Sequence, residues 1–224
     1  MNYRHEWKHE ISYSDLLSIR ARLRAVARAD PHAEGGKYFI RSLYFDNPVD
    51  RALREKIDGV NMREKFRIRY YNFDTSLIHL EKKSKLNGLG TKFSAMLSAG
   101  EAQNIVDGDI GWMLDAADRP LVRELYCKMR YQQMRPKTIV DYTREPFIYG
   151  PGNVRVTFDY DIRTGLGGTD FLNPDCPTVP AGDAPIILEV KWDAYLPDII
   201  RDCVQTPGRR VGAFSKYAQC RIYG

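Results

Sequence analysis

The sequence predicts an α+β fold: a closed antiparallel β-barrel with a charged lumen, an apolar outer surface and helices packed around it. Alternating charge is the first observation behind this prediction. Lys65, Arg67 and Arg69 alternate with Phe66, Ile68 and Tyr70, and Glu81, Lys83 and Lys85 follow in the next strand-length stretch. The spacing recurs in Glu6/Lys8/Glu10, Tyr142/Arg144, Arg155/Thr157/Asp159/Asp161 and Glu189/Lys191. Residues at i, i+2 and i+4 of a strand share one face, so each set projects together. The second observation is that the intervening positions are large and apolar or aromatic. A solvated sheet face would account for one such strand. Many of them, with both faces demanding cover, fit a barrel with charges inside and apolar residues under helices.

The elements follow in order. Residues 3–11 read as a first strand, and Ser14-Asp15 open an amphipathic helix with Leu16, Ile19, Leu23 and Val26 on one side and arginines on the other. A second strand covers 37–46, and Asn47-Pro48 to Gly59 has the cap, first-turn proline and final glycine of a short helix. Segments 63–73 and 76–86 form a hairpin turning near Asp74-Thr75, with Lys92 on a candidate continuation of the row. Ser98 with Glu101 is a capping box, and another helix spans 119–134 after Arg119-Pro120. Strands at 138–148 and 153–163 meet around Gly150-Pro151-Gly152. A Gly/Pro/Asp loop over 164–184 leads to a strand at 185–193, and helical segments begin near 197 and 212.

Length and composition set bounds. The 224 residues suffice for one β-rich domain over 1–224, without an internal repeat. With 34 basic and 29 acidic residues the net charge is +5, so local placement of charge carries the argument and nucleic acid is not an expected partner. Cys127, Cys176, Cys203 and Cys220 form no C-x-x-C pair and no zinc spacing with the four histidines, which favours reduced thiols. No apolar run approaches the roughly 20 residues of a membrane span, and a cytoplasmic protein is the expectation.

A face lined by arginines, lysines and a few carboxylates suits a long, multiply charged oxyanion with a divalent metal. Phosphoryl transfer asks for cations at the phosphate oxygens and little covalent chemistry from the protein. Mn²⁺ or Mg²⁺ takes oxygen ligands, which Glu189 with Glu6 or Glu81 can supply.

At these residues the chain resembles the VTC-type polyphosphate polymerase domains of the triphosphate tunnel, or CYTH-like, superfamily. The motifs are Arg4-His5-Glu6-Trp7-Lys8, Ser42-Leu43-Tyr44-Phe45-Asp46, Arg63-Glu64-Lys65-Phe66-Arg67-Ile68-Arg69-Tyr70, Leu80-Glu81-Lys82-Lys83-Ser84-Lys85, Tyr142-Thr143-Arg144, Arg155-Val156-Thr157-Phe158-Asp159, Leu188-Glu189-Val190-Lys191 and Phe214-Ser215-Lys216-Tyr217. The resemblance implies an eight-stranded antiparallel tunnel that binds ATP and inorganic polyphosphate or triphosphate. It implies Arg67, Arg69, Lys83, Arg144 and Arg155 as phosphate ligands, Glu189 as the metal ligand, and Lys216 and Lys8 as further phosphate contacts. Lys65, Lys85, Lys191, Tyr142 and Ser215 join them as substrate-binding candidates, and Glu81 and Glu6 as further metal candidates. The superfamily's hydrolases open with Glu-x-Glu-x-Lys, whereas this chain has Glu6-x-Lys8-x-Glu10. A cation in place of a carboxylate favours holding phosphate, and so tilts the reading toward a polymerase. A triphosphatase and a non-catalytic polyphosphate or nucleotide sensor are the alternatives. Eukaryotic relatives also carry an inositol-phosphate-sensing domain and membrane spans; neither is seen here, and a membrane transport partner stays open.

Other readings compete at single residues. Glu189 could be a structural ion pair with Lys191 or an arginine, Glu81 could pair across strands and orient a neighbouring lysine, and Lys83 and Lys85 are equivalent by spacing. Ser215 is a helix-start or phosphate-contact residue. His79 shares the parity of Glu81, and Tyr44, Tyr70, Tyr71 and Tyr142 read as packing, with base stacking the other option.

Overall fold

In the computed structural model, which describes residues 4–87, 89–183, 185–206 and 212–222, the alternating segments become strands and the capping signals open helices. In chain order these are β1 (His5–Ile11), α1 (Tyr13–Val26), β2 (Arg28–Ala29), β3 (Tyr38–Asp46), α2 (Arg51–Ile57), β4 (Arg63–Tyr71), β5 (Asp74–Leu86), β6 (Leu89–Leu97), α3 (Ala99–Asp107), α4 (Pro120–Tyr131), β7 (Arg135–Tyr149), β8 (Val154–Thr164), β9 (Val179–Pro180), β10 (Ile186–Trp192), α5 (Asp198–Val204) and α6 (Lys216–Cys220). Tyr3, expected in the first strand, lies outside the described residues.

The ten strands follow the hydrogen-bonded order β1-β10-β8-β7-β3-β4-β5-β6, with β2 on β7 and β9 on β8. This corrects the expected closed barrel of eight strands: no ladder among the described residues joins β1 to β6, and two short strands are added. Alternation fixes which face of a strand is apolar, but it carries no information on whether the two outermost edges meet.

The chain divides into two compact units, one of Met1–Phe39, Tyr142–Ile162 and Gly182–Phe214, the other of Ile40–Asp141, Arg163–Ala181 and Ser215–Gly224. In the first, α1 and α5 cover one sheet face. Leu16, Ile19 and Leu23 of α1, Ile200 and Val204 of α5, and Val156, Phe158, Leu188 and Val190 of the strands make its core. The helix α1 opens at Ser12 and not at Ser14, because Ser12 and Asp15 satisfy each other reciprocally: the Asp15 amide donates to Ser12 Oγ and the Ser12 amide to Asp15 Oδ2.

In the second unit, α3 and α4 lie on the apolar face of β4 and β5. Leu43, Phe45, Phe66, Ile68, Ile78 and Leu80 pack there with Ala102, Ile105, Val122 and Leu125. Lys82 points to this side and is neutralised by Glu64 and Glu124, while Lys128 of α4 also holds Glu64. The β4–β5 turn falls at Asn72-Phe73, with φ of 49° and 59°, two residues before the expected Asp74-Thr75. A two-residue turn with both φ positive matches strand twist, and Asn accepts the left-handed region more readily than most residues. The loop before β9 is tied to the sheet by buried Arg41, which donates to Asp141 and to the Asn173 carbonyl, and by Tyr70, whose hydroxyl donates to the Phe171 carbonyl.

Candidate functional site

Strand parity puts the candidate residues on the sheet faces opposite these cores, and each unit carries its own charged cluster. In the first unit the antiparallel registers Lys8↔Glu189↔Thr157 and Glu6↔Lys191↔Arg155 set two cross-strand rows side by side. Glu189, 5% exposed, is the centre. Lys191 Nζ lies 2.5 Å from Glu189 Oε1 and 3.5 Å from Glu6 Oε1. Lys8 Nζ lies 3.2 Å from Glu6 Oε2 and 3.9 Å from Glu189 Oε1. Arg144 Nη2 is 3.6 Å from Glu189 Oε2. Burial pushes the Glu189 carboxyl up, but its hydrogen bond with Glu6 and the charges of Lys191, Lys8 and Arg144 outweigh burial and hold it well below the usual carboxylate range.

Arg144 has a second anchor. Its Nε and Nη2 donate to the two carboxylate oxygens of fully buried Asp159 at 2.6 and 2.7 Å, and its guanidinium stands 5.5 Å from the Tyr142 ring centroid. Burial works to lower the Arg144 pKa, yet Asp159, Tyr142 and Glu189 hold it well above its ordinary value. Arg155 pairs with buried Asp30 at 3.0 Å, and its Nε is buried with no hydrogen-bond partner among the described residues.

The donor chemistry here fits a hard divalent cation. Two carboxylates, Glu6 and Glu189, share the ammonium groups of Lys8 and Lys191, and a divalent ion there would take the place of those cations. Thr157 Oγ1, buried across the ladder from Glu189, also has no hydrogen-bond partner among the described residues. No group of three or more His, Cys, Asp or Glu among the described residues forms an all-protein metal cage. Mg²⁺ and Mn²⁺ sites that share their coordination sphere with phosphates and water need only one or two carboxylates.

In the second unit Glu81, 4% exposed, is the hub. Arg67, directly opposite on β4, donates through Nε at 2.7 Å and places Nη2 at 2.6 Å. Lys92 reaches it at 2.6 Å and Arg69 at 3.8 Å. Burial raises the Glu81 pKa, but Arg67, Arg69 and Lys92 reverse this and leave the carboxyl far below its ordinary 4.5. Its oxygens are therefore engaged by cations, which is the cross-strand pairing alternative, and a metal ion there would have to displace them. Arg69 donates to Ser42 Oγ at 3.3 Å and to the Tyr71 hydroxyl at 3.1 Å. One ladder step away, Lys65, Lys83 and Lys92 stand directly opposite one another on β4, β5 and β6. Their mutual repulsion is relieved where Lys92 turns to Glu81 and Lys65 lies over the Tyr44 ring. Lys85 is exposed further along β5, opposite Arg63. His79 faces Arg69 across the β4–β5 ladder.

Ser215 starts α6: its Oγ accepts from the Ala218 amide at 3.3 Å, the helix-start alternative, and Lys216 is the first helical residue. The partners Asp159 and Asp30 had no assigned role in the sequence. The alternating Arg155-x-Thr157-x-Asp159 pattern was a signal for Asp159, whereas Asp30 sits in a loop and carries no pattern.

No helix among the described residues is long and apolar enough to cross a membrane. Among solved structures, a protein from Bacillus halodurans described as a "putative adenylate cyclase" is 15% identical, with 90% of this chain and 86% of that one covered at a TM-score of 0.53, a likeness of fold. The PH1819 protein from Pyrococcus horikoshii OT3 is also 15% identical, covering 90% of this chain and 84% of that one, at a TM-score of 0.45. A search of curated proteins gave no significant match. The VTC domain profile matches residues 3–222, nearly the whole sequence and every motif named above, and the chain belongs to the VTC domain family.

Proposed function

We propose that this protein is an ATP-dependent polyphosphate polymerase that uses Mn²⁺ or Mg²⁺. The observation that carries the reading is Lys8 opposite Glu189 on the β1–β10 ladder, within 4 Å of both Glu189 and Glu6. At a site with carboxylates enough to hold one cation, the next group is an ammonium that binds phosphate, where the superfamily's hydrolases place another carboxylate.

In the proposed reaction a terminal phosphate oxygen of the growing chain attacks the γ-phosphorus of ATP, the bond from that phosphorus to the β-bridging oxygen breaks, and ADP leaves with the electron pair. The attacking oxygen is already anionic at neutral pH, so no general base is needed. Arg67, Arg69, Lys83, Arg144, Arg155 and Lys216 would bind the reacting phosphates. Lys8, Lys65, Lys85 and Lys191 would orient the rest of the chain, with Tyr142 backing Arg144 and Ser215 starting the helix that bears Lys216. Glu189, joined by Glu6, would hold the divalent ion, which when bound neutralises charge on phosphate oxygens. Asp159 engages the Nε and Nη2 edge of Arg144 and fixes the orientation of its guanidinium, so a phosphate would meet the remaining Nη donors.

The test is incubation of the purified protein with ATP and Mn²⁺, with and without a short polyphosphate primer, alongside Glu189→Ala and Lys8→Glu. Products are resolved by gel and phosphorus NMR. Long phosphoanhydride chains with matching ADP, absent in Glu189→Ala, are expected, and Lys8→Glu should move product toward orthophosphate. Orthophosphate alone from the wild type means a triphosphatase. Tight binding without turnover means a sensor. Unchanged polymer synthesis by Lys8→Glu would remove the argument from the Lys8 position.

A further inference from the structure

Two tyrosines that the phosphate chemistry does not use stand between the cations of β4 and the helix that carries Lys216. Tyr44 of β3 lies directly across the ladder from Arg67. Its hydroxyl accepts from Arg67 Nη1 at 2.7 Å, and its ring has Lys65 Nζ at 5.5 Å and the Arg67 guanidinium at 5.6 Å from the centroid. The ring of Tyr217, the residue after Lys216, stacks on it at 5.0 Å with planes inclined by 23°. Both rings are buried, at 3% and 2% exposure, so neither is a platform for a solvent-borne base.

The Tyr217 hydroxyl donates to Asp46 Oδ2 at 2.8 Å and accepts from Arg221 Nη1 at 3.0 Å. Asp46, 1% exposed, is itself saturated: it accepts from the amide of Asn47 and from those of Ala52 and Leu53 at the start of α2. Arg221 forks onto both oxygens of Asp50 at 3.0 Å. The α6 helix has only five residues and would not hold its position by its own backbone bonds. Its place is set by this lock.

We infer that Tyr44 and Tyr217 are positioning residues that couple α6 to β4, so that Lys65 and Arg67 on one side and Lys216 on the other are presented to the phosphate chain in one fixed arrangement. Aromatic stacking supplies the rigid contact, the cation–π geometry orients the two β4 cations, and the Asp46 carboxylate sets the rotation of the Tyr217 ring. A tyrosine at each place does what a phenylalanine would do only in part, because the Arg67 and Asp46 hydrogen bonds each need a hydroxyl. This inference rests on the proposal that the cations bind phosphate.

The experiment is tripolyphosphate binding by titration calorimetry for the wild type, Tyr217→Phe, Tyr217→Leu, Arg67→Ala and the Tyr217→Leu/Arg67→Ala double variant, each first shown by urea titration to unfold cooperatively. Tyr217→Phe should weaken binding about threefold and Tyr217→Leu about tenfold. The double variant should be no weaker than Arg67→Ala alone within about twofold, because without Arg67 the lock has one end missing. Should Tyr217→Leu fail to fold, Tyr44→Phe replaces it in the same cycle, since it keeps the packing and removes only the hydroxyl that Arg67 contacts. Binding equal to wild type in Tyr217→Leu, or strictly multiplicative effects in the cycle, would overturn the coupling and leave the functional reading intact. A wild type that does not bind tripolyphosphate would overturn the functional reading, and the positioning role with it.

Discussion

Replacing Glu81 by Gln separates what this carboxylate does for folding from what it does to the cations around it. Glu81 is 4% exposed and touches Arg67 at 2.6 and 2.7 Å and Lys92 at 2.6 Å. Removing one partner of a buried pair costs about 3–5 kcal/mol. Arg67 and Lys92 have side chains 20% and 54% exposed and recover part of their hydration, so about 2–3 kcal/mol is expected at pH 7. The sign of the pH dependence follows from the depressed Glu81 pKa. The stability it contributes is complete above the unfolded value of 4.5 and is lost as pH falls toward the folded one. Each pH unit below the unfolded pKa removes about 1.4 kcal/mol of it. Urea unfolding of wild type and variant should therefore show a gap of about 2–3 kcal/mol at pH 7 that shrinks to under about 1 kcal/mol by about pH 3. Tripolyphosphate should stabilise the variant more than the wild type, because Arg67 and Lys92 no longer have a protein anion in the way. A gap that is the same at both pH values, or below about 1 kcal/mol at pH 7, would refute the account of Glu81 as the charge that holds this cluster together.

Asp159→Asn should keep the fold but lose the bidentate hold on Arg144, costing about 2–3 kcal/mol by urea titration. With Arg144 freed to approach Glu189 more closely than the present 3.6 Å, Mn²⁺ affinity, followed by the metal's paramagnetic effect on water relaxation, should fall about tenfold. Gly152→Ala should destabilise by about 2 kcal/mol or more. Gly152 has φ of +72°, and a Cβ there would sit 2.4 Å from the Tyr195 carbonyl oxygen, a backbone atom that cannot rotate away; thermal unfolding checks this.

Much of the fold was legible because a strand's period is two and a helix's is near four. Parity alone put Arg67, Arg69, Glu81 and Glu189 on the charged faces and Phe66, Ile68, Leu188 and Val190 in the cores. The capping box at Ser98/Glu101 and the start at Pro120 were local signals, and they fell where the helices begin. The site's anions were harder to assign. Asp159 meets Arg144 across 15 residues, Arg155 meets Asp30 across 125, and Tyr217 meets Asp46 across 171. Such pairings depend on which strands become neighbours, and residue spacing within a segment is silent on that. The open strand order was hidden for the same reason. The turn at Asn72-Phe73 was missed because a phenylalanine at positive φ is a rare choice, and Asp-Thr next to it reads as the stronger turn.

The way the cations of β4 to β6 are already occupied gives this face a threshold. Arg67, Arg69 and Lys92 share Glu81 as an internal counter-ion, so an arriving anion does not fill a vacant place but enters a competition with a group that is tethered and cannot leave. A lone orthophosphate can trade with it at one point only, and gains little over what it loses from water. A chain of linked phosphates trades at several points for one cost of immobilisation, with each successive exchange nearly intramolecular. On the proposed function, discrimination by the number of connected phosphates and a steep weakening with added salt would follow from the self-neutralised state of these cations.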